Sequence, residues 1–460
     1  MVRGGAFNNN ARNVRAANRN RNDPDNRNDN IGFRVVVSRS STPASPAGRT
    51  SCGPRRGTAE SVPGRVRHGP DRANTNGPAS CLTVAGAGRL FSSRTVFETL
   101  CSWENLTRAY RKASKGKRGL ATVAAFEHRL EDHLWTLHEE LTTGRYRPRG
   151  YTSFYIHEPK RRLISAAAFR DRVVHHALCN VIEPIFEATF NPDSYANRTG
   201  KGTHRALDRV QQLARRFAFV LQCDVRQFFP SLDHEILRHR IATRVTDART
   251  LDLVDLILAS GAGVLDEAYD MVFFSGDDLF AALRPRGLPI GNLTSQFWAN
   301  VDMDPFDRFV TRELGCRGYV RYVDDFLLFA NDKATLWSWR AGVVERLARL
   351  RLTMHPGAHP RPVTEGIPFL GFTVFPERRR LKRRKGVHFA RRLRRLVADC
   401  NAGRESVGDV LRSVQGWVNH ARYGNTVGLR KRVLRNVVVR PPAEPLRCRA
   451  SALIACASRR

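Results

Sequence analysis

The sequence has 9 Cys but no CxxC pair. That argues against a zinc ribbon or a disulfide framework and fits a reducing compartment, so a cytoplasmic setting is expected. No run of 18 apolar residues occurs. A membrane span is therefore not expected, nor is a membrane partner. The amino-terminal stretch lacks the apolar block of a secretory signal. The first 95 residues hold no Trp, no Tyr and no Lys, and only three Phe. Such a stretch buries too little apolar area to offset backbone ordering, which costs about 1–2 kcal/mol per residue, so disorder is expected there. No Met lies between Met1 and Met271. A non-ATG start near Val96 would therefore give a shorter product without the leading segment.

What is present is basic charge. The 460 residues carry 77 Lys+Arg against 43 Asp+Glu, a formal net charge of +34. A balance this positive points to a polyanion, most often nucleic acid. The charge is unevenly placed. Residues 1–95 carry +11, residues 376–460 carry +18, and the 280 residues between them only +5.

From Val96 onward the texture is globular. Phe97, Leu100, Trp103, Leu106 and Tyr110 recur at helical spacing, as do Phe126, Leu130, Leu134 and Leu141. Residues 172–186 and 232–245 read as helices, 217–224 as a buried strand, 319–330 as a hairpin, and 386–440 as basic helices. This alternation argues an α+β or α/β middle with a helical carboxyl-terminal part.

Two acidic spots interrupt apolar strands. Asp224 ends Phe219-Val220-Leu221-Gln222-Cys223, and Asp324-Asp325 sits between Tyr322-Val323 and Phe326-Leu327-Leu328-Phe329. A carboxylate in an apolar strand is costly unless it is paired or binds metal. A bare Asp-Asp is more often a solvated turn. The apolar flanks and the second strand-embedded Asp favour a divalent-cation site. Three carboxylates on neighbouring strands suit two metals about 3.5–4 Å apart, the geometry of in-line phosphoryl transfer.

Tyr322-Val323-Asp324-Asp325 resembles the YxDD signature of reverse transcriptases. Asp224-Val225-Arg226-Gln227-Phe228-Phe229 resembles that family's other palm motif. Further blocks follow in family order: Lys160-Arg161-Arg162, Ser194-Tyr195-Ala196-Asn197-Arg198, Gly287-Leu288-Pro289-Ile290-Gly291-Asn292-Leu293-Thr294-Ser295-Gln296, and Phe369-Leu370-Gly371-Phe372. The resemblance covers about residues 96–440. It implies a right-hand polymerase of the α+β class: N-terminal helices and fingers over 96–216, a palm over 217–375, a basic helical thumb over 376–445, and a tail over 446–460.

The resemblance implies roles. Asp224, Asp324 and Asp325 would be catalytic and would bind two Mg²⁺ (or Mn²⁺) ions with the Val225 carbonyl. Lys160, Arg162, Phe229, Ile290 and Gly291 would form the nucleotide site, with Phe229 excluding a 2′-hydroxyl. An exposed charged loop is the alternative for Lys160 to Arg162. Ser295, Gln296, Tyr322, Arg383, Arg384 and Lys385 would contact template and primer. An RNA template, a DNA or RNA primer, dNTPs and a small basic accessory protein are the implied partners. Gly416-Trp417 with His420 resembles a thumb core, with core packing favoured for Trp417. The other His residues read as structural.

Within the family, Ile290-Gly291-Asn292-Leu293-Thr294-Ser295-Gln296 resembles diversity-generating retroelement reverse transcriptases, in which an apolar residue replaces a Gln and a Gln replaces a Pro. Residues 3–36, with ten Asn between positions 8 and 30, resemble the carboxyl-terminal end of a formylglycine-generating-enzyme-like variable protein with a C-type-lectin fold. Asn codons begin with two adenines, so this segment reads as an adenine-rich template repeat translated in frame. A basic RNA-binding tail is the alternative. Retron, phage-defence and group II intron enzymes remain runners-up. A catalytically idle RNA-binding protein on the same fold is the reading from outside the enzyme class.

Overall fold

The computed structural model describes residues 95–157 and 161–440. The expected disordered segment 1–95 (save Thr95), the tail 446–460 and Lys160 lie outside them.

The first helices owe their boundaries to caps rather than to apolar spacing. Thr95 and Glu98 form a capping box that opens α1 (Val96–Cys101). Ser102 accepts a hydrogen bond from the Asn105 N–H and starts α2 (Trp103–Ser114). The single helix read from Phe97 to Tyr110 is therefore two, and Trp103 is exposed. Likewise α3 (Ala121–His128) and α4 (Leu130–Thr142) break at Arg129, whose φ of −123° is not helical. A two-stranded antiparallel ribbon follows, β1 (Thr152–Ile156) and β2 (Arg162–Ala166). Then come the long helix α5 (Phe169–Glu187) and α6 (Thr203–Arg216).

A four-stranded sheet forms the centre. It comprises β3 (Phe219–Asp224), β4 (Gly318–Tyr322), β5 (Asp325–Ala330) and β6 (Pro360–Pro362), in the order β4-β5-β3-β6 with every pair antiparallel. Between β3 and β4 run the single turn α7 (Phe228–Ser231), then α8 (His234–Ala242), α9 (Ala248–Gly261) and α10 (Leu293–Arg308). α8 and α9 are capped by the side chains of Asp233 and Asp247. Pro305 lies inside α10, and the helix widens into a π turn at Phe309–Glu313 before β4. After β5, α11 (Lys333–Ala348) begins at the Asp332 cap.

The apolar runs of β3 and β5 are nearly continuous because both faces of the sheet are covered. Leu221, Cys223, Phe326 and Leu328 face one core, shared with α1–α5 and α8–α11. Val220, Leu327 and Phe329 alternate onto a second core with α6, Val320 and Tyr322. A small sheet, β7 (Ile367–Phe369), β8 (Phe372–Val374) and β9 (Arg379–Leu381), leads to α12 (Arg383–Asn401), α13 (Val407–Ala421) and α14 (Val427–Leu434). These helices share a third core. In it Trp417 stacks on Phe389 with ring centroids 4.4 Å apart, so Trp417 is a packing residue. The mixed helix and strand content agrees with an α+β class.

The five cysteines among the described residues are free and buried. No helix among the described residues is long and apolar enough to cross a membrane. His175 is buried, and that burial pushes its pKa down to about 3, as suits a neutral structural histidine.

Candidate active site

The β3–β5 register sets Asp224 directly opposite Asp325, and β4–β5 sets Tyr322 opposite Asp325 on the other side. The link between β4 and β5 is only Val323-Asp324. A two-residue hairpin loop needs left-handed backbone, and Val323 takes it, at φ +62°. For a β-branched residue that costs on the order of 1–3 kcal/mol, and it persists only where the surroundings over-determine it. Two contacts do so here. The Arg321 guanidinium donates to the Val323 carbonyl at 3.1 Å, and the Val225 N–H donates to the Asp324 carbonyl at 3.2 Å. The Asp224 carbonyl accepts from the His355 N–H at 2.8 Å. Asp224, Val225, Asp324 and Asp325 thus meet at one end of the sheet, with Asp324 half-buried at the tip and Asp325 buried.

Among the described residues no group of three or more His, Cys, Asp or Glu side chains forms a ready-made metal cage. The donors at the turn are all hard oxygens. Mg²⁺ typically takes one or two carboxylates and completes its shell with water and substrate phosphates, so this set fits such an ion without a cage.

The candidate nucleotide residues are assembled by backbone bonds. Leu288 N–H donates to the Phe229 carbonyl at 2.9 Å, and Gly287 N–H to the Leu232 carbonyl at 2.8 Å. The loop before α10 therefore lies along the segment that carries Phe229. Phe229 is half-buried, and its ring meets Phe228 edge-on. The same loop grips β2: Ser165 N–H donates to the Ile290 carbonyl at 2.8 Å, and the Asn292 side chain bonds Ser165, Ala167 and Pro289. Gly291 sits at φ +128°, where an added Cβ would come 3.1 Å from the Ile164 side chain, so only glycine fits. Arg162 opens β2, three residues before Ser165, about 10 Å along a strand. Its neighbour Arg161 stacks on Tyr155 at 4.0 Å.

Tyr322 is 1% exposed, and its hydroxyl lies 3.1 Å from that of Thr203. Ser295 is 3% exposed and donates to the Pro289 carbonyl at 2.7 Å. Both polar tips have partners inside the protein. Gln296 is half-buried on α10. Arg383 and Arg384 are exposed at the start of α12, with Lys385 half-buried. That start is tied to the Phe369–Phe372 block by a 3.0 Å bond from Lys382 N–H to the Gly371 carbonyl.

Sequence reasoning missed the group beneath the turn. Arg321 is 1% exposed and makes two 2.7 Å bonds to the Asp307 carboxylate. Asp307 also accepts from the Tyr319 hydroxyl at 2.6 Å, and Arg321 donates to the Asn300 side chain at 3.1 Å. Burial alone would lower the Arg321 pKa. The Asp307 carboxylate outweighs that and holds it above its ordinary value. The available signal was a cation inside the apolar strand Gly318–Tyr322, the same kind of signal that exposed Asp224. Also missed was Asp270, which accepts from Arg226 at 2.5 Å and from Gln227 at 3.2 Å, just before Phe229.

Residues 156–374 match the reverse transcriptase (RNA-dependent DNA polymerase) family model. Residues 1–39 match the sulfatase-modifying factor enzyme 1-like domain. Protein YkfC of Escherichia coli K12 is 28% identical over 294 residues, covering 55% of this chain and 74% of YkfC. The group II intron-encoded protein LtrA of Lactococcus lactis is 24% identical over 183 residues, covering 39% of this chain and 28% of LtrA. The structure of apo telomerase from Candida tropicalis superposes with a TM-score of 0.41 at 10% identity, covering 63% of this chain and 58% of that one. The protein carries a reverse transcriptase domain. It is a nucleotidyltransferase, an RNA-directed DNA polymerase.

Proposed function

We propose that this polymerase is of the diversity-generating retroelement type. It copies a template-repeat RNA into cDNA with errors at adenines, for transfer into a target gene. The observation that carries this reading is the match of residues 1–39 to a sulfatase-modifying-factor-like domain in the same chain as the polymerase. A template repeat translated in frame would look like the end of the variable protein it diversifies. The motif from Ile290 to Gln296 supports the same branch. Ile290 is half-buried beside β2 and has no side-chain hydrogen-bonding group. A Gln there would bond near the nascent pair and constrain its geometry.

In this reading 96–216 acts as fingers, 217–375 as palm and 376–445 as a basic thumb on the primer–template duplex. Asp224, Asp324, Asp325 and the Val225 carbonyl hold two Mg²⁺ ions. Those ions, when bound, supply electrostatic activation of the primer hydroxyl and neutralisation of the leaving pyrophosphate. The chain's own residues position the reactants. Arg162, with Lys160, clamps the triphosphate through its planar fork. Phe229 lies under the sugar. Gly291 lets the backbone approach the base. Arg383, Arg384 and Lys385 neutralise backbone phosphates. A small basic accessory protein and a cytoplasmic setting complete the proposal.

The purified protein should extend a primer on RNA with Mg²⁺, and its cDNA errors should concentrate at template adenines. Ile290→Gln should lower adenine misincorporation several-fold, and an unchanged error spectrum would sink the role given to Ile290. Phe229→Val should admit ribonucleotides, raising rNTP kcat/KM relative to dNTP by about a hundredfold, or about 2.7 kcal/mol of discrimination. Single-nucleotide kinetics with each substrate reads that ratio.

A second reading is favoured by the LtrA match and by a 28% identity over 97 residues to the nuclear intron maturase 1 of Arabidopsis thaliana. In it the enzyme copies a group II intron RNA. Uniform cDNA errors across the four template bases would favour it.

A further inference from the structure

β4 runs from a second polar site to the catalytic turn. Beyond its start, α8, α10, α11 and the π turn line an open cleft of about 600 Å³, within the range of about 300–1,000 Å³ of ligand pockets. Five arginines line it, Arg240, Arg244, Arg308, Arg312 and Arg346, against two carboxylates, Asp304 and Glu313. Arg308 is ion-paired to Asp304. Among the described residues the other four make no ion pair with a carboxylate. Their neighbours behave differently: Arg238 on α8 pairs with Asp255, and Arg349 just past α11 pairs with Glu345.

These four guanidinium groups make no contact ion pair, and only partial compensation reaches them: Arg240 lies in the field of the buried Asp302 carboxylate and Arg244 in that of Asp304. Their Nε and Nη donors also lack a common acceptor. The Nε of Arg240 is buried with no hydrogen-bond partner. The Arg346 guanidinium is held over the Phe309 ring at 5.1 Å, which fixes its direction. A phosphate offers what is missing: negative charge and oxygens in the geometry of the guanidinium fork. The site is separate from the candidate active site. Arg308 and Arg312 precede Gly318, where β4 begins, and Asp324 follows Tyr322, where it ends. That strand spans about 17 Å.

We propose that this cleft binds the phosphodiester backbone of single-stranded RNA, outside the primer–template duplex. The inference rests on the polymerase reading, because such an enzyme meets long RNA in every turnover. Its charge selects a strand by its phosphates rather than its bases. It would hold the template away from the reacting end and raise its local concentration there.

The test uses the full chain and the double variant R244Q/R312Q. Both residues are exposed, and circular dichroism checks that the fold stands. Affinity for a long single-stranded RNA should fall about tenfold, with the slope of log K against log salt shallower by about 1.4, two contacts at 0.7 each. Extension of a short primer–template duplex should be unchanged. Equal RNA affinity and slope in the variant would overturn the proposal. So would a parallel loss of short-duplex extension, which would place these arginines in the primer–template cleft. Loss of inorganic pyrophosphate binding with RNA binding intact would reassign the site to a small phosphate ligand. Poly-glutamate binding tighter than RNA, and lost in the variant, would reassign it to an acidic protein. If the wild-type chain fails to extend primers while the variant still loses RNA affinity, the polymerase reading fails and the RNA site stands.

Discussion

Asp324→Asn is expected to lower Mg²⁺-dependent primer extension by about three orders of magnitude, on the order of 4 kcal/mol of transition-state stabilisation. The substitution is nearly isosteric and removes one negative charge at the tip of the β4–β5 turn. Asp324 is half-buried, and its backbone carbonyl, not its side chain, receives the Val225 N–H. The turn should therefore keep its shape, and the loss should fall on kcat with primer–template affinity retained. Thermal denaturation should show a fold as stable as the wild type or slightly more so, since repulsion with Asp224 and Asp325 is relieved. Single-turnover extension and duplex binding, measured side by side, read the two effects. Activity surviving at more than a tenth of the wild-type rate would remove Asp324 from the chemistry. Asp325→Asn makes a useful contrast. Asp325 is buried and paired in register with both Asp224 and Tyr322, so its replacement should cost stability as well as rate.

Asp224, Asp324 and Asp325 stood out because they end, link and open apolar strands of a sheet covered on both faces. The strands themselves were legible for the same reason. Helix boundaries were less so. The apolar spacing from Phe97 to Tyr110 continues across Ser102, whose side chain starts a new helix. Periodicity reports a buried face and does not register a break in the backbone that preserves that face. For Tyr322 and Ser295, residue type says what a polar tip can bond, not what it does bond. Thr203 and Pro289 hold them from inside. The arginine cleft had no linear motif at all. Its lining comes from five separate elements between Phe186 and Arg346, and the decisive fact, four arginines without a contact ion pair, exists only in three dimensions.

Arg321→Met should destabilise the protein by about 3–5 kcal/mol, because it leaves the Asp307 carboxylate buried without its cation. Asp307 is 1% exposed and would keep only the Tyr319 hydroxyl as a donor. The second variant, R321M/D307L, removes both charges. Replacing a buried pair by apolar groups of similar volume is often neutral, so most of the stability should return, as equilibrium denaturation would show. Catalysis should not return with it. In either variant the Val323 carbonyl loses its 3.1 Å donor, and Val323 is the residue held at positive φ. A β-branched residue released from that hold relaxes towards its ordinary backbone basin. The Asp324 carboxylate moves with it. The double variant should thus be folded yet slow, with kcat lowered about tenfold or more and KM for dNTP little changed. Arg321→Lys is the matching control. It keeps the charge beside Asp307 but cannot reach Asp307, Asn300 and Val323 together as the fork does, so it should rescue stability more than rate. Full activity in R321M/D307L would mean that the turn holds its geometry without Arg321. The buried pair would then serve packing of β4 against α10 and not the position of the candidate catalytic carboxylates.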